Sequence, residues 1–457
     1  MTSSVFREYD IRGLTGSELT EDFYHRLGLA LGTTYAVHGD ESVVVGRDMR
    51  ATSPAYARAL RRGLVETGRR VLDIGEVTTP MTVFALNFLG TDGSVAVTAS
   101  HNPAEYNGAK IRRKMPLFGE ELQRLRATFE KGAFMRGEGS EEAVDVREAY
   151  LTALAARMRP KRALKVVVDA GNGCGGLVGP DLLERLGFEV VQLYCDPDGS
   201  FPNHHPDPTV PKNLEDLRKA VLDERADAGV AWDGDADRVV LVDDQATIHW
   251  PDRLLMALAP AAIRKHPGGV VVYDVKCSQG VEQVVTAAGG RARMVKTGYP
   301  HILAGMRDPD AVLGGEFSGH VYFGGDALVN FDDGVHAAAR VLTHFADDSR
   351  PVSVQMAELP RSVMTPEIRA DVPEERKFAI VDKLLADFRA DREVVKLIDV
   401  DGARVVYPEG WGLVRASNTQ PSLVLVFEAR DEAGLSALKR RFAAKLAPYP
   451  EVKHPLA

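Results

Sequence analysis

The chain reads as an α/β protein: three similar mixed-sheet α/β domains followed by a smaller C-terminal α+β domain. Three observations predict this. Short valine-rich runs recur along the chain, each followed by a polar loop and a helical pattern. Each recurrence has a later strand that runs into an unusual polar loop. From about Val363 the style of the sequence changes. The 457 residues are 45% hydrophobic and 26% charged, which is ordinary for a globular protein and long enough for several cores of about 100–200 residues each.

In chain order, the first unit begins with a strand at Ser42–Gly46 (SVVVG), continues as a helical pattern through Ala55–Gly68, and returns as VLDIG. The second begins at Leu164–Ala170 (LKVVVDA), has a helix near Pro180–Leu186 closed by Gly187, and returns as FEVVQLY. The third begins at Gly269–Asp274 (GVVVYD), followed by VEQVVTAAGG and RARMV. Continuous apolar runs, rather than strict alternation, mark strands covered on both faces. The later strands SVAVT, AGVAW and AVLG lead into ASHNP, DGDADR and GEFSGH. Loops at corresponding edges of repeated units are where a scaffold carries its function. The tail reads as strand VVYPE, loop GWGLVRASNTQPS, strand LVLVFEA and helix EAGLSALKRRFAAKLA. The expected domains are 1–155, 156–255, 256–362 and 363–457.

A net charge of −9 excludes nucleic-acid binding through a broad basic surface but not a small anionic substrate. Three cysteines, Cys174, Cys195 and Cys277, cannot form a disulfide framework, which points to a reducing compartment. The N-terminal stretch has no apolar signal segment, and no apolar run reaches the ~18 residues of a membrane span. A cytoplasmic enzyme with no membrane partner is expected, and no feature specifies an oligomer.

Asp233, Asp235 and Asp237 in WDGDADR alternate, and in an extended loop such residues point to one side. Three converging carboxylates suit a hard cation such as Mg²⁺; the bland alternative is a solvated acidic turn. Ser100, in TASHNP, sits at a strand's end, where a serine can also simply cap a turn. It lacks the G-x-S-x-G elbow, so a nearby metal is the natural activator. Gly171-x-Gly173-x-x-Gly176, with Asp196 about 20 residues on, imitates a dinucleotide fingerprint. A dehydrogenase would leave the acidic and serine loops unexplained, and close backbone packing accounts for the glycines. The segment Arg415–Pro421 (RASNTQP) offers a guanidinium, hydroxyls and an amide, a set able to clamp phosphate or to form a polar hairpin loop.

Together these loops resemble the α-D-phosphohexomutase family, in the family's order and over essentially the whole chain. TASHNPAEYNGAKI resembles its phosphoserine loop, DGDADR its metal loop, GEFSGH its sugar-reading loop and RASNTQP its phosphate clamp. YDIRG, at Tyr9–Gly13, matches as well. The resemblance implies four domains around a central cleft. It implies that Ser100 carries a phosphoryl group, and that Asp233, Asp235 and Asp237 hold Mg²⁺ with a phosphoserine oxygen. Arg12 and Arg238 would lie beside the transfer centre, with Lys110 as general base, His101 nearby, and His320 close to the acid/base chemistry. Lys276, Tyr299 and His301 would line the sugar site. Glu316 and Ser318 would read hydroxyls, and Arg415, Ser417, Asn418 and Thr419 would hold the unreacting phosphate. The implied reaction moves phosphate between the 1- and 6-positions of a hexose through a hexose 1,6-bisphosphate, which also serves as activator.

Relatives often read KTGHSLIK where this chain has Lys296–Leu303 (KTGYPHIL), so Tyr299 stands in place of a sugar-binding histidine and His301 can compensate. Phe317 and Asn418 resemble the phosphomannomutase/phosphoglucomutase branch rather than phosphoglucosamine mutases, which carry Gln and Gly at these places. A magnesium-dependent sugar phosphatase would share the metal loop without needing the clamp, and an inactive sugar-phosphate sensor would not need Ser100 and Lys110.

Overall fold

The computed structural model describes residues 5–417, 420–454 and 456. Two compact units emerge: Met1–Leu258 with Ser318–Met356, and Ala259–Phe317 with Ala357–Ala457.

The first unit contains two mixed sheets. In the six-stranded sheet, Ser42–Arg47 lies between Arg70–Glu76 and Gly93–Val97, parallel to both. Tyr106–Arg112 then runs antiparallel to Gly93–Val97 on one side and Ile11–Leu14 on the other. In the five-stranded sheet, Lys165–Asp169 lies parallel between Glu189–Leu193 and Ala228–Trp232, with Val239–Asp243 returning antiparallel. The second unit repeats the parallel trio, with Val270–Asp274 between Arg291–Val295 and Ala311–Gly315. In all three sheets the polar loop leaves the C-terminal end of the third strand. The middles of the central strands are apolar because both faces are buried, as at Val43–Val45, Val166–Val168 and Val270–Val272.

The tail folds into an antiparallel sheet of Lys396–Ile398, Ala403–Tyr407, Gly410–Ala416 and Ser422–Ala429, to whose last strand Ile368–Asp371 and Val363–Met364 both pair. Helices Lys377–Arg389 and Glu432–Leu446 close its core around Phe388, Phe427 and Phe442. One expectation changes here. Arg415, read as lying in a loop between strands, belongs to the strand Gly410–Ala416, which pairs in register from Trp411↔Glu428 to Ala416↔Leu423. Two glycines and the charge of Arg415 hid the strand, but its neighbours bury the arginine to 5% exposure.

The expected border at 255 falls inside the helix Pro251–Lys265, while that at 155 coincides with the end of helix Arg147–Ala155. No helix among the described residues is long and apolar enough to cross a membrane.

Candidate active site

The serine loop leaves the strand Gly93–Val97 and turns at once. Asn102 N–H donates to Ala99 O at 3.0 Å, with Ser100 in the left-handed region at φ 49°. For a residue with a Cβ this costs roughly 1–2 kcal/mol and persists only where the surroundings over-determine it. Ser100 N–H donates to Thr98 Oγ1 at 2.9 Å. Arg12, on the strand Ile11–Leu14, donates to Ala99 O at 2.5 Å and also to Asn102 Oδ1. Ser100 is almost fully buried, and its Oγ donates to Asp233 Oδ2 at 2.7 Å and lies 3.1 Å from His101 Nδ1.

Asp233, Asp235 and Asp237 do converge, with ligand oxygens within 4.8 Å of one another. The extended geometry expected of them is not what brings them together. The loop is a turn closed by Ala236 N–H donating to Asp233 O at 3.0 Å, with Ala236 itself at φ 60°. Asp233 Oδ1 also accepts from the backbone N–H groups of Asp237 and Arg238. A side chain on Gly234 would meet Ser100 O at 2.5 Å, so only glycine lets the two loops touch. Of the glycines that imitate a dinucleotide fingerprint, Gly173 serves this contact: it packs on Gly234 O, which also accepts from Cys174 N–H at 2.9 Å, while Gly176 packs on the Cys195 backbone.

Lys110 Nζ donates to Asp235 Oδ2 at 2.7 Å and to Asp237 Oδ2. Burial would lower its pKa, but these two carboxylates outweigh burial and raise it, so the group is a charged donor here. Burial likewise works to raise Asp235, yet Lys110 and the Thr79 hydroxyl, 2.6 Å away, bring it down. Asp233 is raised by burial and by its two acidic neighbours. Asp235 Oδ1 and Asp237 Oδ1 are buried and accept no hydrogen bond among the described residues. The donor set is all oxygen, buried and anionic, and it fits a hard divalent cation.

Arg238 Nε donates to His320 Nε2 at 3.2 Å, leaving the histidine's proton on Nδ1, 3.2 Å from Asp332 Oδ2 and 3.7 Å from Asp237 Oδ1. Burial would lower His320, but Asp237 and Asp332 raise it. His101 goes the other way: burial and then Arg238 and Arg12 push it well down, which keeps it neutral. Ser318 is also in this unit, its Oγ buried without a hydrogen bond among the described residues.

The second unit gathers the remaining set. Arg415 Nε donates to Asp401 Oδ2 at 2.8 Å, and the same oxygen accepts from Thr297 N–H at 3.1 Å. Lys276 Nζ donates to Glu367 Oε1 at 2.6 Å. Burial would raise Glu367, yet Lys276 brings it down to about 2. Tyr299 opens the helix Tyr299–Gly305, and half-buried His301 is lowered by burial and Lys296, within the influence of Asp401, Glu316 and Arg415. Ser417 is buried, and its Oγ accepts from Gln420 N–H at 3.2 Å. Asn418 and Thr419 lie outside the described residues.

Sequence reading missed Asp332, Asp401, Glu367 and Arg50. It also passed over a signal in the repeat itself: each unit's first strand ends at or one residue before an aspartate, Asp48, Asp169 or Asp274. All three are buried and receive loop donors, from Arg50 and Ser53 at Asp48, Gly171 at Asp169, and Thr297 and Phe317 at Asp274.

Four family models match the chain in succession. They are described as phosphoglucomutase/phosphomannomutase alpha/beta/alpha domain I over residues 3–136, domain II over 148–246, domain III over 250–363, and C-terminal domain over 367–445. The phosphomannomutase/phosphoglucomutase of Pseudomonas aeruginosa is 43% identical over 447 residues, which cover 98% of this chain and 96% of that protein. A phosphoglucomutase of Neisseria gonorrhoeae is 40% identical, covering 100% of this chain and 99% of its own. The crystal structure of a phosphoglucomutase/phosphomannomutase family protein from Burkholderia thailandensis superposes with a TM-score of 0.93 at 39% identity, covering all of both chains.

Proposed function

Because the chain belongs to the phosphoglucomutase/phosphomannomutase family, we propose that it interconverts the 1- and 6-phosphates of mannose, glucose or both. The route runs through a phosphoserine at Ser100 and a hexose 1,6-bisphosphate, which also acts as activator. One observation carries this reading: the Ser100 hydroxyl lies 2.7 Å from a carboxylate of a buried three-aspartate cluster, two of whose oxygens accept no hydrogen bond among the described residues. A hydroxyl against a hard-cation ligand set is the arrangement phosphoryl transfer uses.

In the first half-reaction the bond between phosphorus and Ser100 Oγ breaks as a sugar hydroxyl oxygen bonds to phosphorus. The hydroxyl's proton passes to a nearby base, and the serine oxygen regains a proton. Arg12 and Arg238 offset the charge on the transferring oxygens, and neutral His101 is placed to exchange the proton at Ser100 Oγ. Asp233, Asp235 and Asp237, with a phosphoserine oxygen, would hold magnesium, whose charge would further offset that of the transferring group, and Lys110, beside this cluster, is the candidate general base. His320, oriented by Asp332, is the second acid/base group. The bisphosphate then turns over, and the second half runs in reverse.

Arg415 and Ser417, with Asn418 and Thr419, hold the phosphate that is not reacting, in either orientation of the bisphosphate. Lys276, Glu316, Ser318, Tyr299 and His301 contact the sugar. The C-terminal domain that carries Arg415 is the candidate lid, since phosphoserine must be kept from water. A phosphatase has no use for such a clamp. Only three cysteines in 457 residues suit work in the reducing cytoplasm.

Intact-mass measurement tests the reading. Protein treated with hexose 1,6-bisphosphate should carry one phosphate, Ser100→Ala none, with turnover lowered on the order of a thousandfold or more. An active enzyme that never carries phosphate, or one that releases it stoichiometrically to water, defeats the proposal.

A further inference from the structure

We infer that Arg50 is a positioning residue that holds the phosphoryl-carrying serine in its left-handed turn. The inference rests on the role proposed for Ser100. The Arg50 side chain is 1% exposed, and its guanidinium gathers the carbonyls of the serine loop around itself. Nη2 donates to Ser100 O at 2.9 Å and Asn102 O at 2.5 Å; Nη1 donates to Pro103 O at 2.6 Å and Tyr106 O at 3.1 Å. The remaining donor, Nε, goes to Asp48 Oδ2 at 3.2 Å.

Asp48 is itself fixed. Its backbone N–H donates to Val97 O at 3.0 Å, and its Oδ1 accepts from Arg50 N–H and from Ser53 Oγ. The ring of Phe201, from the loop after Glu189–Leu193, lies 5.1 Å from the guanidinium carbon. The hold on Ser100 thus runs from a central strand end, through one aspartate and one planar cation, to the loop carbonyls.

All the side-chain donors of Arg50 point to backbone carbonyls and Asp48, so it acts through Ser100 rather than on a substrate. Arg12 holds the same turn from Ala99 O and Asn102 Oδ1. Between them the two arginines fix the carbonyls of Ala99, Ser100, Asn102 and Pro103, which is what keeps Ser100 at φ 49°. Lysine cannot replace Arg50, because three donors on one nitrogen do not reproduce a rigid planar fork. The carbonyls left over would be buried without partners. Ser100 could then relax to an ordinary φ, swinging Oγ from Asp233.

The test compares wild type, Arg50→Lys and Phe201→Ala by amide hydrogen exchange and steady-state kinetics. In Arg50→Lys, amides of residues 99–106 should exchange faster while those of the strands Lys165–Asp169 and Ala228–Trp232 do not. Turnover should fall by about 10- to 100-fold with KM for the hexose phosphate unchanged, because the clamp of the second unit is untouched. Phe201→Ala should move both readouts in the same direction by less, and it decides the matter if Arg50→Lys does not fold. Unchanged exchange at 99–106, or a loss of turnover shared with faster exchange throughout the unit, overturns the inference. If wild type proves to have no phosphoserine and no mutase activity, the reading of Ser100 fails instead, and the exchange result still decides whether Arg50 holds the turn.

Discussion

In the first unit three carboxylates meet with a single lysine between two of them. In the second, Arg415 rests on Asp401, and Lys276 on Glu367 with Asp274 3.9 Å away. The first arrangement leaves buried carboxylate oxygens without hydrogen bonds among the described residues, a donor set that fits a hard cation. The second is already paired, and its cations are aimed by their acids rather than stored by them. On the proposed function, the first is where charge is moved in the transition state and the second is where a phosphate is only held. Removing a group from the first should therefore be read in turnover, and from the second in affinity.

Asp235→Asn cuts deepest into this contrast. It removes one charge from the acidic cluster and weakens both metal binding and the hold on Lys110. Turnover should fall by about 100- to 1000-fold, with the melting temperature nearly unchanged. Turnover that stays high at ordinary magnesium concentration takes the metal away from this cluster.

Arg415→Ala should act on the opposite quantity. A charge-assisted guanidinium–phosphate contact of about 1.5–3 kcal/mol corresponds to a KM raised by about 10- to 100-fold, with turnover little changed. A large loss of turnover at constant KM would erase the distinction between the two units.

A smaller effect sharpens the acidic surplus of the first unit. Asp333 caps the helix Gly334–Ala346, accepts from Tyr150 Oη at 2.8 Å, and is pushed up to about 7 by burial. Between the ordinary carboxylate pKa of about 4 and 7, the folded chain keeps a proton that the unfolded chain has released. Its share of stability is therefore present in acid and lost as pH rises through 7. Asn at 333 preserves the cap and cannot lose that proton. The melting temperature of Asp333→Asn relative to wild type should climb by about 2–4 °C from pH 5 to pH 8. A difference independent of pH would leave Asp333 ionised throughout.

Local spacing made much of the fold legible. The valine runs at Val43–Val45, Val166–Val168 and Val270–Val272 became central parallel strands, and the loops after SVAVT and AGVAW bring Ser100 and the aspartates together. Errors came where local pattern and final geometry part. Arg415 looked like loop because glycines interrupt the alternation of its strand, and the three aspartates meet through a turn at Ala236 rather than an extended chain.

The residues alone determined the repeated units, the kinds of groups in each loop, and hence the class of chemistry, because strand, turn and loop preferences act over a few neighbouring residues. Only the tertiary structure decided which groups serve one another. Ser100 meets Asp233 across 133 positions, Arg50 meets Ser100 across 50, and Thr297 shares Asp401 across 104. Such pairings are set when strands assemble and exclude water. A charged or polar group buried there must then find a partner, and which partner is within reach depends on strand order and register, not on distance along the chain.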